Sequence, residues 1–402
     1  MTNMTAAMAA EAMPVGPLSG LRILDFTIMM AGPACTRLLA DLGAEVIKIE
    51  APEGDHIRTR PPLRDGHSTY FGQLNCGKRS IALDLKRSES LMIVRRLAEE
   101  SDVVVENFRP GVMARLGLDY ARLAAVNPKL VYCSISGFGQ TGPAASKPAY
   151  APVIHAASGY DMANLRYQDD MERPAKTGIF MADVLGGVYA FGAIQAALVE
   201  RMRTGHGQNI DVSLIDSMLN LLVFECQEAQ FPSDRRRPLY KPLHAADGFV
   251  IVAPVSQNNF ERLAEAVGHP EWKKDERFST IGAREQNWDE LMALIEGWTR
   301  NHPAQYCEDY LMEMGIPCSR YLTVGQAMKE PHIAARGSLC RITDAAGGFY
   351  VPNPPFRFSG GGAYARPFVA ELGENGEDVL KRVLSLTADE IASLRTAGAL
   401  HD

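Results

Sequence analysis

The chain has 402 residues, 46% apolar and 22% charged, close to the averages of folded domains, so a wholly disordered chain is excluded. Its 41 lysines and arginines against 48 acids give a net charge of 41 − 48 = −7, which argues against a nucleic-acid partner, since that would want a basic face. The length suggests two domains, perhaps a third, with enough chain to bury a core without disulfide or metal staples.

From Leu18 the pattern alternates strand and helix. Leu21–Phe26 reads as a buried strand, and Ala31-Gly-Pro33 opens a helix with Pro33 at its first position. That helix runs through Thr36 to Leu42, Gly43 takes the left-handed cap, and Glu45–Glu50 is the next strand. Ser88 caps a helix through Glu100 that leads into Asp102–Glu106, and a helix from Ala121 to Val126 leads into Leu130–Ile135. Repeated βαβ units predict an α/β, Rossmann-like large domain with a parallel sheet covered by helices on both faces. We expect residues 1–16 to be a flexible tail and residues 17–230 the first part of this domain. Residues 231–247 read as a linker, because Pro232 to Pro242 is polar and proline-rich. A smaller α/β domain then spans 248–321, with a strand at Phe249–Ala253 and helices at Phe260–Val267, Trp288–Trp298 and Ala304–Met314. Residues 322–402 carry loops at Val351–Pro355 and Gly360–Gly362, then the capping box Thr387-x-x-Glu390 with a helix to Thr396. This stretch has too little core to stand alone and should rejoin the large domain. A second connection must then run back, leaving an open-ring monomer.

Several function classes fall away. The seven cysteines (Cys35, Cys76, Cys133, Cys226, Cys307, Cys318, Cys340) are odd in number with no C-x-x-C pair, which reads as buried thiols in a reducing cytoplasm. The nine histidines form no H-E-x-x-H and no Cys/His cluster, so no metal is expected. No apolar run approaches the roughly 18 residues of a membrane span, so no membrane partner is expected. Met1 to Gly16 has no lysine or arginine and carries Glu11, which fits neither a signal nor a transit peptide.

Gly137-Phe-Gly139-Gln-Thr-Gly142 has the G-x-G-x-x-G form, but Pro143, Pro148 and Pro152 forbid the continuous helix that a dinucleotide site needs. We read it as a loop, which argues against NAD binding. Asp183 is the acid of most interest. It precedes a helix predicted over Val184 to Met202 and capped by Gly205, with Gly186 and Gly187 leaving room for a ligand. Its bland reading is an N-cap. As a nucleophile it would be activated by position and desolvation rather than by a shifted pKa, since an ordinary aspartate is already ionised at neutral pH. Lys78, Arg79, Lys86, Arg87, Arg109 and Arg115 are candidate phosphate holders, each with a solvated surface charge as the bland alternative. Arg58 and Arg60 lie on a loop where a substrate carboxylate would dock, Arg235–Arg237 reads as linker, and His155 as a satisfied core histidine.

The motifs Pro17–Phe26, Ala31-Gly-Pro-Ala34, Leu42–Glu50, Asn75-Cys-Gly-Lys-Arg-Ser80, Val105–Gly111, Gly205-x-Gly-Gln208 and Ile316-Pro-Cys318 resemble those of class III CoA-transferases. This CaiB/BaiF-type family includes formyl-CoA:oxalate and crotonobetainyl-CoA:carnitine CoA-transferases. The resemblance covers about Pro17 to Ala399 in the right order. It implies that Asp183 attacks an acyl-CoA thioester, forming an aspartyl mixed anhydride and then an aspartyl-CoA thioester. Every step is acyl transfer, so no cofactor is implied beyond coenzyme A itself as the substrate thioester, and a dry pocket is needed because anhydrides hydrolyse.

The resemblance also implies CoA contacts at Met30, Ala31, Leu83, Lys86, Asn107, Phe108, Arg115 and Leu116, with Lys147 in a loop that aligns one residue longer. Met30 stands where formyl-CoA transferase has a glutamine and Ala51 where it has an arginine, which counts against oxalate. A small di- or hydroxy-carboxylic acid with succinyl-CoA as donor is the expected substrate pair. The partner implied is a second copy of the chain, in a homodimer of interlocked rings. Two alternatives stand beside transfer. One is the family's racemase branch, whose Gly-His-Asp stretch here reads Ala149-Tyr150-Ala151, leaving His155 as the substitute base. The other is a non-catalytic CoA-binding protein on the same fold.

Overall fold

The computed structural model describes residues 15–168, 171–232 and 237–401. Most of the expected N-terminal tail, and Arg235 and Arg236 of the linker, lie outside them. The chain divides into two compact units, one made of residues up to Val223 together with Ala334 onward, the other of Phe224–Ile333. Residues 224–230, expected in the large domain, and 322–333, at the start of the expected return linker, therefore group with the second unit.

The first unit is built on a seven-stranded sheet. Its strands in chain order are β1 (Arg22–Asp25), β2 (Glu45–Glu50), β3 (Arg79–Leu83), β4 (Val103–Glu106), β5 (Val131–Ser136) and β6 (Asn209–Ser213). Side by side they run β3-β2-β1-β4-β5-β6, all parallel, and Leu400–His401 adds an antiparallel edge beside β3. The central strands are buried on both faces, as a parallel sheet covered by helices requires. The α/β class with a mostly parallel central sheet is as the sequence indicates.

The helices that matter below are α1 (Ala31–Asp41), α2 (Thr69–Asn75), α3 (Ser88–Glu99), α4 (Val112–Leu116), α5 (Tyr120–Val126), α6 (Ala151–Ala157), α7 (Tyr160–Arg166) and α8 (Met181–Thr204). Gly43 ends α1 with φ +97°, the left-handed geometry a side chain resists. Pro33 is the third residue of α1 rather than the first, still within the turn whose amides have no helical partner. Ser88 is the first residue of α3, not its cap, and its hydroxyl bonds Glu89 instead. The G-x-G-x-x-G segment is a loop, and Pro152 is accommodated inside the first turn of α6.

α8 is long and apolar enough, by length and composition, to cross a membrane, which the sequence reading did not register. One face of it is core: Ala182, Ala190, Ile194 and Ala197 share a cluster with Cys35, Leu39, Val105 and Ile135, and Gly186 and Gly187 are buried on the same helix. α8 and α1 touch backbone to backbone, because a Cβ on Gly187 would lie 2.7 Å from the carbonyl oxygen of Ala31.

After α8 and β6 the first unit resumes with a hairpin, Leu339–Asp344 against Gly347–Pro352, so Val351 and Pro352 are strand rather than loop. The capping box at Thr387 and Glu390 forms, and its helix ends at Thr396. The second unit has a three-stranded antiparallel sheet with Gly248–Val252 between Leu243–Ala245 and Cys318–Arg320. Leu243–Ala245 is thus a sheet strand inside the stretch read as linker. Helices Gln257–Ala266, Trp288–Thr299 and Ala304–Glu313 cover it around Phe260, Trp272, Phe278 and Leu291.

Candidate active site

In an open α/β sheet, ligands bind beyond the carboxyl ends of the strands where the winding direction reverses. Here the reversal falls between β1 and β4, both of which pair with each other while their neighbours lead away in opposite directions. The turn after β1 is tied to the turn after β4: the Ile28 amide donates to Asn107 Oδ1 and Asn107 Nδ2 donates to the Ile28 carbonyl, both at 2.8 Å. Met29 is held at φ +65°, with its amide on Asp55 Oδ1 at 3.2 Å. Met30 and Ala31 follow at the start of α1, and Phe108 follows Asn107, so four of the expected CoA contacts lie on or next to the two tied turns.

A buried ionic network lies beneath this turn. Asp25 accepts from the Thr27 amide and hydroxyl at 2.8 and 2.5 Å and from the Thr36 hydroxyl at 2.7 Å, and pairs with Lys78 at 3.1 Å. Burial alone would raise the Asp25 carboxyl, but Lys78, Lys48 and the two threonine hydroxyls hold it below the usual range. Burial pulls the Lys78 ammonium down to about 8, against the opposing attraction of Asp25. Lys48 donates to the Thr27 carbonyl and pairs with Asp55. Lys78 is therefore a structural cation, not a phosphate holder, and Arg79 is taken by Asp378 and Glu45. Arg58 is equally committed: it pairs with Glu50 at 2.6 Å, donates to the Ala370 carbonyl and stacks over Phe71. It is not free to dock a substrate. Arg60 is exposed and has no hydrogen bond or ion pair for its guanidinium among the described residues.

Lys86, Arg109 and Arg115 are also exposed and unpaired among the described residues. Lys86 follows β3 and the two arginines follow β4, so all three stand beyond the carboxyl edge of the sheet. Arg87 is drawn to Asp84. Leu83 is buried in the core, Phe108 and Leu116 are half-buried against it, and Lys147 is exposed on the loop after β5.

Asp183 is the third residue of α8, not its cap; the cap position is Phe180. Its carboxylate has no hydrogen bond or ion pair among the described residues, and burial pushes its pKa up to about 6. The expectation of an unshifted carboxylate is thus corrected: partial burial withholds some of its water, and no partner among the described residues replaces it. The Tyr70 phenol is pushed up by burial and then by the charge of Asp183, which sets the two side chains near each other. Tyr70 lines a cavity of about 620 Å³ with Met30, Pro61, Pro62, Thr69, Gln73, Gly178, Ile179, Phe180, Phe349 and Tyr350. Its walls carry no charge. Sequence reasoning found Met30 here but missed Tyr70, the proline pair and the Phe349–Tyr350 strand, which no local motif marks.

His155 is fully buried, and its Nε2 accepts from the Ala182 amide at 3.1 Å. Its pKa is lowered by burial, against the pull of Asp161. It is not the satisfied core residue expected, because its Nδ1 lacks a partner among the described residues. Among those residues, no three His, Cys, Asp or Glu side chains gather as a metal site.

The chain belongs to CoA-transferase family III, whose family model matches residues 18–374, and it is a CoA-transferase. It is 38% identical over 381 residues to an acetyl-CoA:oxalate CoA-transferase of Acetobacter aceti, covering 92% of this chain and 96% of that one. It is 34% identical to a succinyl-CoA–D-citramalate CoA-transferase of Chloroflexus aurantiacus, covering 95% and 98%. A crystal structure of a CaiB/BaiF family protein from Brucella suis superposes with a TM-score of 0.81 at 36% identity, over 92% of this chain and 99% of that one.

Proposed function

We propose that this chain moves CoA from an acyl-CoA, succinyl-CoA among the donors, to a small dicarboxylic or hydroxy-dicarboxylic acid, with Asp183 as the covalent relay. The observation that carries the reading is a partly buried carboxylate, unpartnered among the described residues, beside a largely apolar cavity at the start of a helix packed on the β1–α1 turn. The Asp183 carboxylate attacks the thioester carbonyl, the C–S bond breaks, and CoA leaves as thiolate. The thiolate attacks the aspartyl carbonyl of the mixed anhydride, freeing the first acid and leaving aspartyl-CoA. The acceptor carboxylate attacks that thioester and expels the thiolate again. The thiolate then attacks the acceptor carbonyl, forming the new acyl-CoA and restoring Asp183. A low-water cavity protects both anhydrides from hydrolysis.

The relatives named above act on oxalate and D-citramalate, both dicarboxylates, and this supports the acceptor class. Arg60, unpaired and adjacent to the Pro61–Pro62 wall, is the cation we assign to the second carboxylate. The epimerase reading lacks its base: His155 is fully buried with Nε2 already committed. A panel of acyl-CoA donors crossed with free carboxylic acids, read by mass spectrometry, tests the assignment; new acyl-CoA masses should appear with dicarboxylic acceptors. Epimerised donor without exchange would overturn it.

The pH profile follows from the carboxylate. The attacking form is ionised, so kcat/KM should fall about tenfold per unit as pH drops below an acid limb near 6. A limb near 4, where an ordinary aspartate titrates, would show Asp183 in water in the free enzyme. For the CoA phosphates we assign Lys86 and Arg115. Replacing either by alanine should raise KM for the CoA donor about tenfold, the worth of one charge-assisted hydrogen bond, with an unchanged melting temperature.

We infer a homodimer, in which the open rings interlock. The outward face of α8 leaves Val184, Val188, Tyr189, Val199 and Met202 exposed, and Leu219, Leu221 and Val223 follow on the next helices. Apolar surface of that extent belongs to an interface. Sedimentation at low micromolar concentration should find a dimer; a fully active monomer would end this reading. Five of the seven cysteines are buried, and this supports a cytoplasmic location.

A further inference from the structure

Helices leave their first amides without partners, and a short polar side chain at the N-cap normally accepts from one of them. α8 has no such residue: its cap is Phe180, and no side-chain cap bond forms there. The Met181 amide turns back to the Ile179 carbonyl at 3.1 Å, and Val184 begins the helical ladder on Phe180 at 3.2 Å. Between them, the Ala182 amide donates at 3.1 Å to His155 Nε2, from a residue 27 positions earlier in the chain. His155 has no solvent exposure, and its ring packs 5.2 Å from that of Tyr160. An accepting Nε2 carries no proton, so the neutral ring holds its hydrogen on Nδ1. That nitrogen is buried without a partner among the described residues. A histidine is thus kept in one tautomer, with one nitrogen unsatisfied, for the sake of a single bond to α8.

The next residue along is Asp183, whose carboxylate makes no hydrogen bond among the described residues. Its aim is therefore set by the backbone alone. The geometry points to His155 as the positioning residue of the nucleophile: by accepting from the Ala182 amide it fixes the first turn of α8 and with it the line of attack of Asp183. This rests on Asp183 being the covalent relay. His155 itself moves no proton and touches no substrate. Small displacements of a reacting group are costly, on the order of a hundredfold in rate for about 1 Å.

Three variants test the inference, each assayed with succinyl-CoA and a dicarboxylic acceptor that the wild type uses. In His155→Gln, the amide oxygen stands where Nε2 stood and can accept. His155→Leu fills the space and cannot accept, and His155→Asn carries its oxygen too short to reach. The leucine variant should lose about tenfold to a hundredfold in kcat, with KM for the acyl-CoA within about twofold. The glutamine variant should recover kcat to within about threefold of wild type. Where His155→Leu yields no folded protein, the asparagine variant takes its place against glutamine. Wild-type kcat in the leucine or asparagine variant, or a glutamine variant no better than either, overturns the inference. Trapping of aspartyl-CoA on Asp183 with hydroxylamine, run on the wild type, separates the two claims. A trapped adduct together with an unaffected leucine variant refutes the positioning role alone, whereas no adduct refutes the nucleophile and the positioning role together.

Discussion

Asp183→Ala is expected to lower CoA transfer by at least about a thousandfold and, at the same time, to stabilise the protein. The rate falls because, on the proposed route, both anhydrides and the CoA thioester between them form on this carboxylate. The stability gain follows from linkage. The folded carboxyl titrates near 6 and the unfolded one near 3.8, so the folded state binds the proton more tightly. Ionised Asp183 therefore opposes folding: stability rises as pH falls through 6 toward 4 and is lowest, on this account, above 7. Two pKa units correspond to about 3 kcal/mol at most, and the alanine variant should regain part of that at pH 7. Transfer assays and thermal melts on one preparation read both effects. A variant with wild-type transfer would end the nucleophile role. A melting temperature that drops would mean the carboxylate has a partner after all.

The second large effect is on stability. Asp25 is fully buried and is shared among Lys78, two threonine hydroxyls and a backbone amide. Removing it leaves the buried Lys78 ammonium without its counter-charge, held only by the Pro33 carbonyl and Asn75 Oδ1, for which about 3–5 kcal/mol is expected. At about 2–4 °C per kcal/mol for a unit of this size, Asp25→Ala should melt roughly 10 °C lower than wild type. The double change Asp25→Ala with Lys78→Met should cost less than the single change, since no buried charge is then left alone. Denaturant melts of the three variants give the coupling. A single variant within about 1 kcal/mol of wild type would show that water reaches Lys78.

Local signals were enough for the sheet and its first crossover. Glu45–Glu50 has the bounds its apolar run suggests, Gly43 turns left-handed where a cap was needed, and Thr387 with Glu390 closes its box. The expectations that failed required a distant partner. Asp183 looked like a cap because aspartate so often is one, yet the side chain that accepts from the first turn of α8 is His155 on another helix. Lys78 and Arg58 looked free because the acids that claim them, Asp25 and Glu50, lie on other strands. The hairpin that brings Phe349 and Tyr350 to the cavity is separated from Tyr70 by most of the chain, and no spacing rule spans such a gap. Burial, too, is invisible in a sequence, and it is burial that lifts Asp183 to about 6.

The last strand has a bearing on how the protein is made. Leu400 and His401 pair with Leu83 and Ala82, and the Ala399 carbonyl takes the Asp84 amide and the Ser90 hydroxyl. The stretch bearing Lys86 is thus clasped by residues made long after it. Until they emerge, β3 is an open edge, able to pair with any passing strand. The stretch Phe224–Ile333 is continuous in sequence and complete much earlier, whereas the sheet must wait for its final residues. A nascent chain stalled shortly before Ala399 would hold a switch-point turn already formed, beside a sheet edge still exposed to aggregation.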